Sequence, residues 1–229
     1  MIETVLLDMD GVLVDVRGSY RRAIDETVAA LAGGAPAPGR VQAMKDAGGF
    51  NNDWVLSHAL VREAGVDVPY LSVVAAFQAR YRGADFDGLI ATEPALIRTE
   101  TLAALAAVAR LGLVTGRPEA DAAFTLRRFG WDEWVPVVVG MDEQAGREKP
   151  HPFGLLRALE RLSGSPETAL FAGDTVDDVR AAVAAGVVAV GVVPPGHDWD
   201  RHRRTLMAAG ARVVLSTPET LPALVAALG

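Results

Sequence analysis

The sequence predicts an α/β fold: a Rossmann-like parallel sheet core with helices on both faces and an inserted all-helical domain. From residue 100 onward, short runs rich in Val, Ala and Leu alternate with helical periodicity, as in parallel sheets covered by helices. The first strand is separated from this alternation by roughly 80 residues that show helical periodicity and Gly/Pro breaks. We therefore expect a core of residues 1–16 and 98–229, and a helical insert of residues 17–97.

The elements follow from the periodicity in chain order. The first strand begins at Ile2, and the insert contains helical segments at 18–31, 41–44, 53–63 and 70–82. The core then contains predicted helices at 101–110, 119–129, 152–162, 177–185 and 218–228. Its predicted strands lie at 111–114, 135–139, 169–172, 187–192 and 212–215. The stretch 194–204, with Trp199 and three arginines, could be a mobile flap or an oligomer contact.

The composition narrows the class of function. The 229 residues are 50% hydrophobic and 22% charged, which is typical of a globular protein. A formal charge of −7 and the lack of a basic stretch argue against nucleic acid as a partner. The absence of cysteine excludes disulfides, thiolate catalysis and Cys-type zinc sites. No apolar run reaches the ~18 residues of a membrane span, and no basic leader precedes the first strand. We expect a cytoplasmic protein that binds no membrane, either a monomer or a homodimer.

Two carboxylates follow the first strand directly. Asp8 ends the apolar run Val5–Leu7, and Asp10 follows beside Gly11. A strand buried on both faces is a continuous apolar run, so charged residues at its end are costly unless they have a function. In an open α/β sheet the ligand crevice lies outside the carboxyl ends of the strands. Two acids there can bind a hard cation, or divide the roles of nucleophile and acid between them.

Three further polar clusters lie beyond later strands: Thr115-Gly116-Arg117-Pro118, Glu148-Lys149-Pro150, and Gly173-Asp174 followed by Asp177-Asp178. The carboxyl ends of parallel strands share one edge of a sheet, so we expect these clusters to converge with Asp8 and Asp10. Residues of the first two clusters also have structural interpretations. Thr115 could cap the next helix, Lys149 could be a solvated loop lysine, and Arg117 could form a surface ion pair instead of contacting phosphate.

In this order the clusters resemble the four motifs of the haloacid dehalogenase-like hydrolase superfamily, over nearly the whole chain. The first motif corresponds to Asp8-Met9-Asp10-Gly11-Val12-Leu13, and the second to Thr115. The third corresponds to Lys149 before Pro150, and the fourth to Gly173-Asp174 with Asp178. The insert resembles the helical cap of subfamily IA, which contains the phosphoglycolate phosphatases.

The resemblance implies catalytic roles. Asp8 would attack phosphorus and form an aspartyl-phosphate, which splits one displacement into two easier steps. Asp10 would protonate the leaving alcohol as general acid and later activate water as general base. Thr115, the Gly116 amide and Lys149 would neutralise and position the phosphoryl group, which is the chief requirement of phosphoryl transfer.

The resemblance also implies a metal site. Mg²⁺ would be held by the Asp8 carboxylate, the Asp10 backbone carbonyl and Asp174, with waters completing an octahedron. Asp178, or alternatively Asp177, would hold those waters or Lys149 in place. The two acids are hard to separate by sequence because both lie at a helix start, where the helix dipole favours carboxylates.

Substrate contacts are expected from the insert and from the second motif. The candidates are Gly116, Arg117, Arg17, Arg21, Asn51, Asn52 and Trp54. The last three lie in a polar and aromatic loop that could hydrogen-bond and wall a small phosphorylated metabolite. Asn52 could alternatively be the N-cap of the helix that carries Trp54.

We therefore predict a Mg²⁺-dependent phosphatase that hydrolyses a small phosphorylated metabolite. Candidates are phosphoglycolate, a sugar phosphate and, through a likeness to a branch linked to histidine biosynthesis, histidinol phosphate. A phosphomutase of the β-phosphoglucomutase type, a non-catalytic protein that binds a phosphoryl ligand, and a haloacid dehalogenase are the alternatives. Asp10 argues against the dehalogenase, because family dehalogenases lack a carboxylate at this position.

Overall fold

The computed structural model describes residues 1–47, 50 and 52–228, which fall into two compact units. Met1–Asp15 and Pro94–Gly229 form the sheet unit, and Val16–Glu93 forms the helical unit. The chain re-enters the sheet unit at Pro94, whose carbonyl accepts a hydrogen bond from the Asp15 amide at 2.9 Å. Residues 94–97, which the sequence placed in the insert, therefore belong to the sheet unit.

The helical unit is built around its first helix. Its α-helices are α1 Tyr20–Ala32, α2 Arg40–Ala47, α3 Asp53–Glu63 and α4 Tyr70–Tyr81. Helix α1 contacts both α3 and α4, and its apolar residues Ile24 and Val28, four positions apart, are buried. The rings of Tyr20 and Tyr81 stack with centroids 4.3 Å apart. Each of the four helical segments that periodicity predicted in the insert overlaps one of these helices.

The sheet is parallel and doubly wound. Its strands are β1 Thr4–Leu7, β2 Arg110–Val114, β3 Val137–Val139, β4 Ala169–Gly173, β5 Val188–Val192 and β6 Val213–Leu215. They lie in the order β3-β2-β1-β4-β5-β6, so the chain moves outward from β1 to β3 and then crosses to the other side of β1. Ligands bind in sheets of this kind where the strand order reverses, outside the carboxyl ends of the strands. Here that position lies beyond β1 and β4.

Both faces of the sheet are covered. The helices of this unit are α5 Thr99–Ala106, α6 Glu119–Phe129, α7 Met141–Gln144, α8 Phe153–Arg161, α9 Val176–Ala185, α10 Trp199–Ala209 and α11 Leu221–Ala227. Leu6 and Phe171 share one hydrophobic cluster with side chains of α8, α9 and α10. Side chains alternate between the faces of a strand, and Val5, Leu7 and Leu170 are buried as well. The second face is therefore also covered, and the predicted α/β class is confirmed.

The second half of the stretch 194–204 is helical, which the sequence did not predict, and its two interpretations, a mobile flap and an oligomer contact, stay predictions. Most of it belongs to α10, where the Asp198 side chain accepts a hydrogen bond from the Arg201 amide at 2.7 Å as N-cap. Leu206 anchors the helix because its side chain is fully buried. Among the described residues, no helix is long and apolar enough to cross a bilayer.

Strand β3 is shorter than predicted. The apolar run suggested residues 135–139, but pairing with β2 begins at Val137, opposite Gly112. Pro136 has no backbone N–H to donate to the ladder, so the pairing begins after it. Val135 is buried outside the strand.

Candidate active site

Asp8 and Asp174 lie on either side of the point where the strand order reverses. The Asp8 amide donates to the Ala172 carbonyl of β4 at 2.9 Å, so the β1–β4 ladder extends to the residue that carries the carboxylate. Asp174 directly follows β4, which ends at Gly173. The Asp8 side chain is buried, as expected for an acid at the end of a strand covered on both faces.

Gly11 allows the two strand-end loops to approach each other. Its φ of 74° lies in the left-handed region, and its amide donates to the Val14 carbonyl at 2.9 Å. A Cβ at this position would lie 2.3 Å from Oδ2 of Asp174. Glycine is the residue that can adopt this φ and also leave room for the Asp174 carboxylate. The first motif therefore needs glycine at position 11.

Lys149 joins two buried carboxylates. Its Nζ lies 2.9 Å from Oδ1 of Asp8 and 2.6 Å from Oδ1 of Asp178. It also donates to the Val114 carbonyl at the end of β2, at 3.4 Å. The structure therefore brings together the lysine of the third motif and the acids of the first and fourth, as the topology predicted.

Asp178 is the fourth-motif acid beside Lys149. Its Oδ2 accepts from the amides of Asp174 and Thr175 at 3.1 and 2.9 Å, and from the Thr175 hydroxyl at 2.7 Å. Thr175 in turn caps α9, so the pair forms a capping box. The Asp177 carboxylate lies 4.0 Å from Nη1 of Arg180. Lys149 thus contacts Asp178, and the role of either acid in the reaction stays a prediction.

The carboxylates fit a hard divalent cation. One oxygen from each of Asp8, Asp174 and Asp178 lies within 4.8 Å of the others, close enough to ligate one ion. An all-oxygen donor set suits Mg²⁺ or Ca²⁺. Asp178 already uses one oxygen for Lys149 and the other for the α9 cap. Asp8 and Asp174 are therefore the carboxylates best placed to bind the ion directly.

The site carries more negative charge than its lysine balances. Burial raises the pKa of Asp8 to about 7; the charges of Asp178 and Asp10 add to this shift and Lys149 opposes it. Burial and the charges of Asp178 and Asp8 raise the pKa of Asp174 well above its usual range. Burial alone would lower the pKa of Lys149, but its two carboxylate partners raise it instead. A bound divalent cation would offset the excess charge.

Thr115 and Gly116 follow β2 on the same sheet edge. The Thr115 amide donates to the Val139 carbonyl at 3.1 Å, and its hydroxyl oxygen accepts from the Arg117 amide at 3.2 Å. Thr115 is buried, whereas Gly116 is exposed. The exposed Gly116 backbone is compatible with the predicted contact to a phosphoryl oxygen, which stays a prediction.

Arg117 forms an ion pair, as one sequence-based interpretation expected, but the arginine of the pair is buried. Its guanidinium is fully buried, with Nη2 at 2.5 Å and Nε at 2.7 Å from Oδ1 of Asp10. The ion pair is therefore part-buried and does not lie at the surface, and the expected contact of Arg117 with a substrate stays a prediction. Arg117 binds Oδ1 of Asp10, and the expected contact of the Asp10 backbone carbonyl with a metal stays a prediction.

The insert candidates lie in the helical unit. Arg21 donates to Oε1 of Gln42 at 2.6 Å, and Arg17 is exposed. Asn52 is the N-cap of α3 and accepts from the Trp54 amide at 2.9 Å, which matches the structural interpretation of this residue. Trp54 is half-buried, and Asn51 lies outside the described residues. Substrate contacts by these residues stay predictions.

Two residues of the site edge carried no sequence signal. Gln144 of α7 is buried and donates from Nε2 to the Thr115 carbonyl at 2.7 Å. Nε2 of His202 in α10 lies 2.7 Å from the Asp174 carbonyl oxygen. Helix α7 is only one turn long, and α10 was not predicted, so spacing alone could not place these side chains.

The motif order and the geometry agree with the comparison to known families. A family model described as haloacid dehalogenase-like hydrolase matches residues 2–186. The chain belongs to the haloacid dehalogenase-like hydrolases. The predicted resemblance to this family is therefore confirmed.

Several relatives of this hydrolase have names that point to phosphorylated small molecules. The chain is 35% identical over 207 residues to a Phytophthora nicotianae protein named imidazoleglycerol-phosphate dehydratase, covering 85% of this chain and 44% of that protein. It is 32% identical over 196 residues to a phosphoglycolate phosphatase of Xylella fastidiosa strain Temecula1, covering 80% and 77%. The hydrolase thus spans less than half the length of some curated relatives that it matches.

Solved structures share the fold of the hydrolase over nearly its full length. CbbY from Rhodobacter sphaeroides, solved in complex with phosphate, superposes with a TM-score of 0.73 at 22% identity, covering 96% of each chain. A haloacid dehalogenase-like hydrolase from Streptococcus pneumoniae gives a TM-score of 0.74 at 16% identity, covering 97% of this chain and 98% of that one. These likenesses concern the fold.

Proposed function

We propose that the chain is a Mg²⁺-dependent phosphomonoesterase that works through an aspartyl-phosphate on Asp8. The observation that carries this proposal is the arrangement around Asp8. This buried carboxylate directly follows β1 and contacts Lys149 at 2.9 Å, and it lies close enough to the Asp174 carboxylate for both to ligate one ion. Membership of a hydrolase family and similarity to a phosphoglycolate phosphatase support the same reaction class.

The first half of the reaction forms the covalent intermediate. A carboxylate oxygen of Asp8 attacks phosphorus, and the bond from phosphorus to the alcohol oxygen breaks. Asp10 donates its proton to the departing oxygen. Lys149 stays protonated between Asp8 and Asp178, so it contributes a fixed positive charge beside the transferring group.

The second half releases inorganic phosphate. The Asp10 carboxylate takes a proton from water while the water oxygen bonds to phosphorus. The bond from phosphorus to the Asp8 oxygen then breaks, which restores both carboxyl groups. Thr115 and the Gly116 amide, at the end of β2, hold the non-bridging oxygens through both halves.

The cation fits this chemistry through the residues that would hold it. When bound, Mg²⁺ supplies positive charge that neutralises the phosphoryl group and the carboxylates around it. Asp8 and Asp174 would bind it with their carboxylates, and Asp10 with its backbone carbonyl. Asp178 orients these ligands, because one of its oxygens accepts from the Asp174 amide and the other contacts the amine of Lys149.

The substrate is a small phosphorylated metabolite, selected by the helical unit. Arg17, Arg21, Asn51, Asn52 and Trp54 are the proposed contacts. The names of the relatives favour two chemistries: phosphoglycolate, and a phosphorylated imidazole alcohol such as imidazoleglycerol phosphate. Histidinol phosphate, which the sequence suggested, belongs to the second chemistry.

The test is release of inorganic phosphate from a panel that contains these compounds and several sugar phosphates. With Mg²⁺ we expect turnover of at least one member, lost on chelation, and reduced roughly 10³-fold or more in Asp8→Asn. Asp132→Asn, at an exposed position, is the matched control and should retain full activity.

Other outcomes would replace the proposal. Conversion of a sugar phosphate into its isomer without net phosphate release would indicate a mutase. Release of chloride from 2-chloropropionate without Mg²⁺ would indicate a dehalogenase. Tight binding of a phosphorylated ligand that is never turned over would leave a binding protein.

A further inference from the structure

The buried guanidinium of Arg117 is aimed at Asp10. Two of its nitrogens, Nε and Nη2, lie at 2.7 and 2.5 Å from the same oxygen, Oδ1. The third nitrogen, Nη1, donates to the Thr125 hydroxyl at 3.2 Å. The Arg117 side chain is 0% exposed, whereas the Asp10 side chain is 31% exposed. Of this pair, only the carboxylate opens toward solvent.

The surroundings hold Arg117 in one position. Its amide donates to the Thr115 hydroxyl oxygen, and its carbonyl accepts from the Met141 amide at 2.8 Å. The Thr125 hydroxyl that receives Nη1 itself donates to the Asp121 carbonyl within α6, at 3.2 Å. The guanidinium is therefore anchored through α6 and the turn after β2, both parts of the sheet unit.

We propose that Arg117 is a positioning residue that fixes the rotamer of Asp10 for proton transfer. Arg117 binds Oδ1, which leaves Oδ2 to face first the departing oxygen and then the attacking water. A planar guanidinium with two donors on one oxygen restricts the carboxylate more than a single point charge does. This role rests on the proposed function, because it assigns Asp10 the proton transfers of that reaction.

The role predicts which steps depend on Arg117. Attack of Asp8 on phosphorus does not involve Arg117, but protonation of a poor leaving group and activation of water both require Asp10. An aryl phosphate such as p-nitrophenyl phosphate has a leaving group that departs without a proton. The leaving group of an alkyl phosphate must be protonated as it departs. Loss of Arg117 should therefore spare phosphorylation by the aryl substrate and slow dephosphorylation with either substrate.

The experiment compares Arg117→Met and Arg117→Lys with Arg110→Met by rapid quench. Arg110 lies at the opposite end of β2, where it donates to the Leu162 and Ser163 carbonyls at 2.8 Å, so its variant controls for loss of an arginine beside the same strand. With p-nitrophenyl phosphate we expect Arg117→Met to retain a burst of p-nitrophenolate, while kcat falls about 10²-fold and KM stays unchanged.

Arg117→Lys should recover part of kcat, because an ammonium can donate to Oδ1 but lacks the two-nitrogen fork. Arg110→Met should match the unaltered protein. With an alkyl phosphate, Arg117→Met should lose the burst as well as turnover. If Arg117→Met fails to fold, Arg117→Lys and the recovery of Arg117→Ala turnover by added guanidinium ion provide the same comparison.

Three results would overturn the role. A raised KM with unchanged kcat would make Arg117 a substrate contact. Equal losses of burst and turnover with both substrates would make it purely structural. Recovery by neither lysine nor added guanidinium ion would exclude a dependence on positive charge beside Asp10. Failure of the proposed function is distinguishable, because then neither the unaltered protein nor Arg110→Met would form a phosphoenzyme on Asp8.

Discussion

Asp8 experiences opposing influences at the scale of a single residue. Its carboxylate is buried and faces two further acids, yet it touches the Lys149 amine. Burial and like charge outweigh the lysine and raise the pKa of Asp8 to about 7, so the metal-free protein holds the protonated acid in mildly acidic solution. A cation beside Asp8 would reverse this balance, and nucleophilic attack needs the ionised form.

The raised pKa of Asp8 predicts a pH dependence of stability in the metal-free protein. The folded-state pKa is about 7 against an ordinary value of 3.8, so between these values the folded state binds a proton that the unfolded state lacks. The Asp8 contribution to the free energy of unfolding is therefore fully present below about pH 4 and decreases as the pH rises toward 7. Thermal unfolding with a chelator from about pH 4 to 8 should show a steeper decline for the unaltered protein than for Asp8→Asn.

Asp132→Asn is the control for this series and should keep the slope of the unaltered protein. Parallel curves for the unaltered protein and Asp8→Asn would contradict the raised pKa. A steeper decline in Asp8→Asn than in the unaltered protein would mean that folding lowers the pKa of Asp8 instead of raising it.

At the scale of an element, the turn after β1 predicts a difference between two glycine substitutions. Gly11 and Gly130 have φ values of 74° and 69°, but only at Gly11 would a Cβ meet the Asp174 carboxylate. Both Gly→Ala changes should cost about 1–2 kcal/mol for the left-handed conformation. Gly11→Ala should also raise the Mg²⁺ concentration needed for half-maximal phosphatase activity. Equal Mg²⁺ requirements in the two variants would show that the close approach has no effect on the ion.

Helix α10 gives a second prediction at this scale. Leu206 is fully buried and lies against Gly191 of β5, whereas the next residue, Met207, is 40% exposed. Leu206→Ala should lower the free energy of unfolding by about 2–5 kcal/mol, and Met207→Ala by less than ~0.5 kcal/mol, in chemical denaturation. Similar small effects for both variants would mean that α10 is attached only loosely to the sheet.

The elements also show how far the sequence could predict the molecule. The carboxyl ends of parallel strands lie at one edge of the sheet regardless of side-chain conformation. The acids at the strand ends and the lysine could therefore be placed from topology. Helix α10 was missed because its Asp198 cap and Leu206 anchor lie among arginines that look solvent-exposed. The contact between Arg117 and Asp10 depends on the rotamer of a long side chain, and residue spacing does not determine rotamers.

At the scale of the whole molecule, cation binding should stabilise the fold. A ligand that binds only the folded state at about 100 times its Kd adds about 2.7 kcal/mol. We expect Mg²⁺ to raise the melting temperature of the unaltered protein, and to raise that of Asp174→Asn far less, because Asp174 supplies one of the proposed carboxylates. An equal shift in both proteins would place the cation elsewhere.

One side chain ties the sheet unit together across distant parts of the chain. Asp178 holds the ammonium of Lys149 with one oxygen and the backbone of the Asp174 turn with the other. A substitution in the loop of Lys149 or in the turn of Asp174 therefore alters the position of Asp178, and through it the geometry of the other segment. Among descendants of a common ancestor, positions 149, 174 and 178 should therefore be kept together or abandoned together.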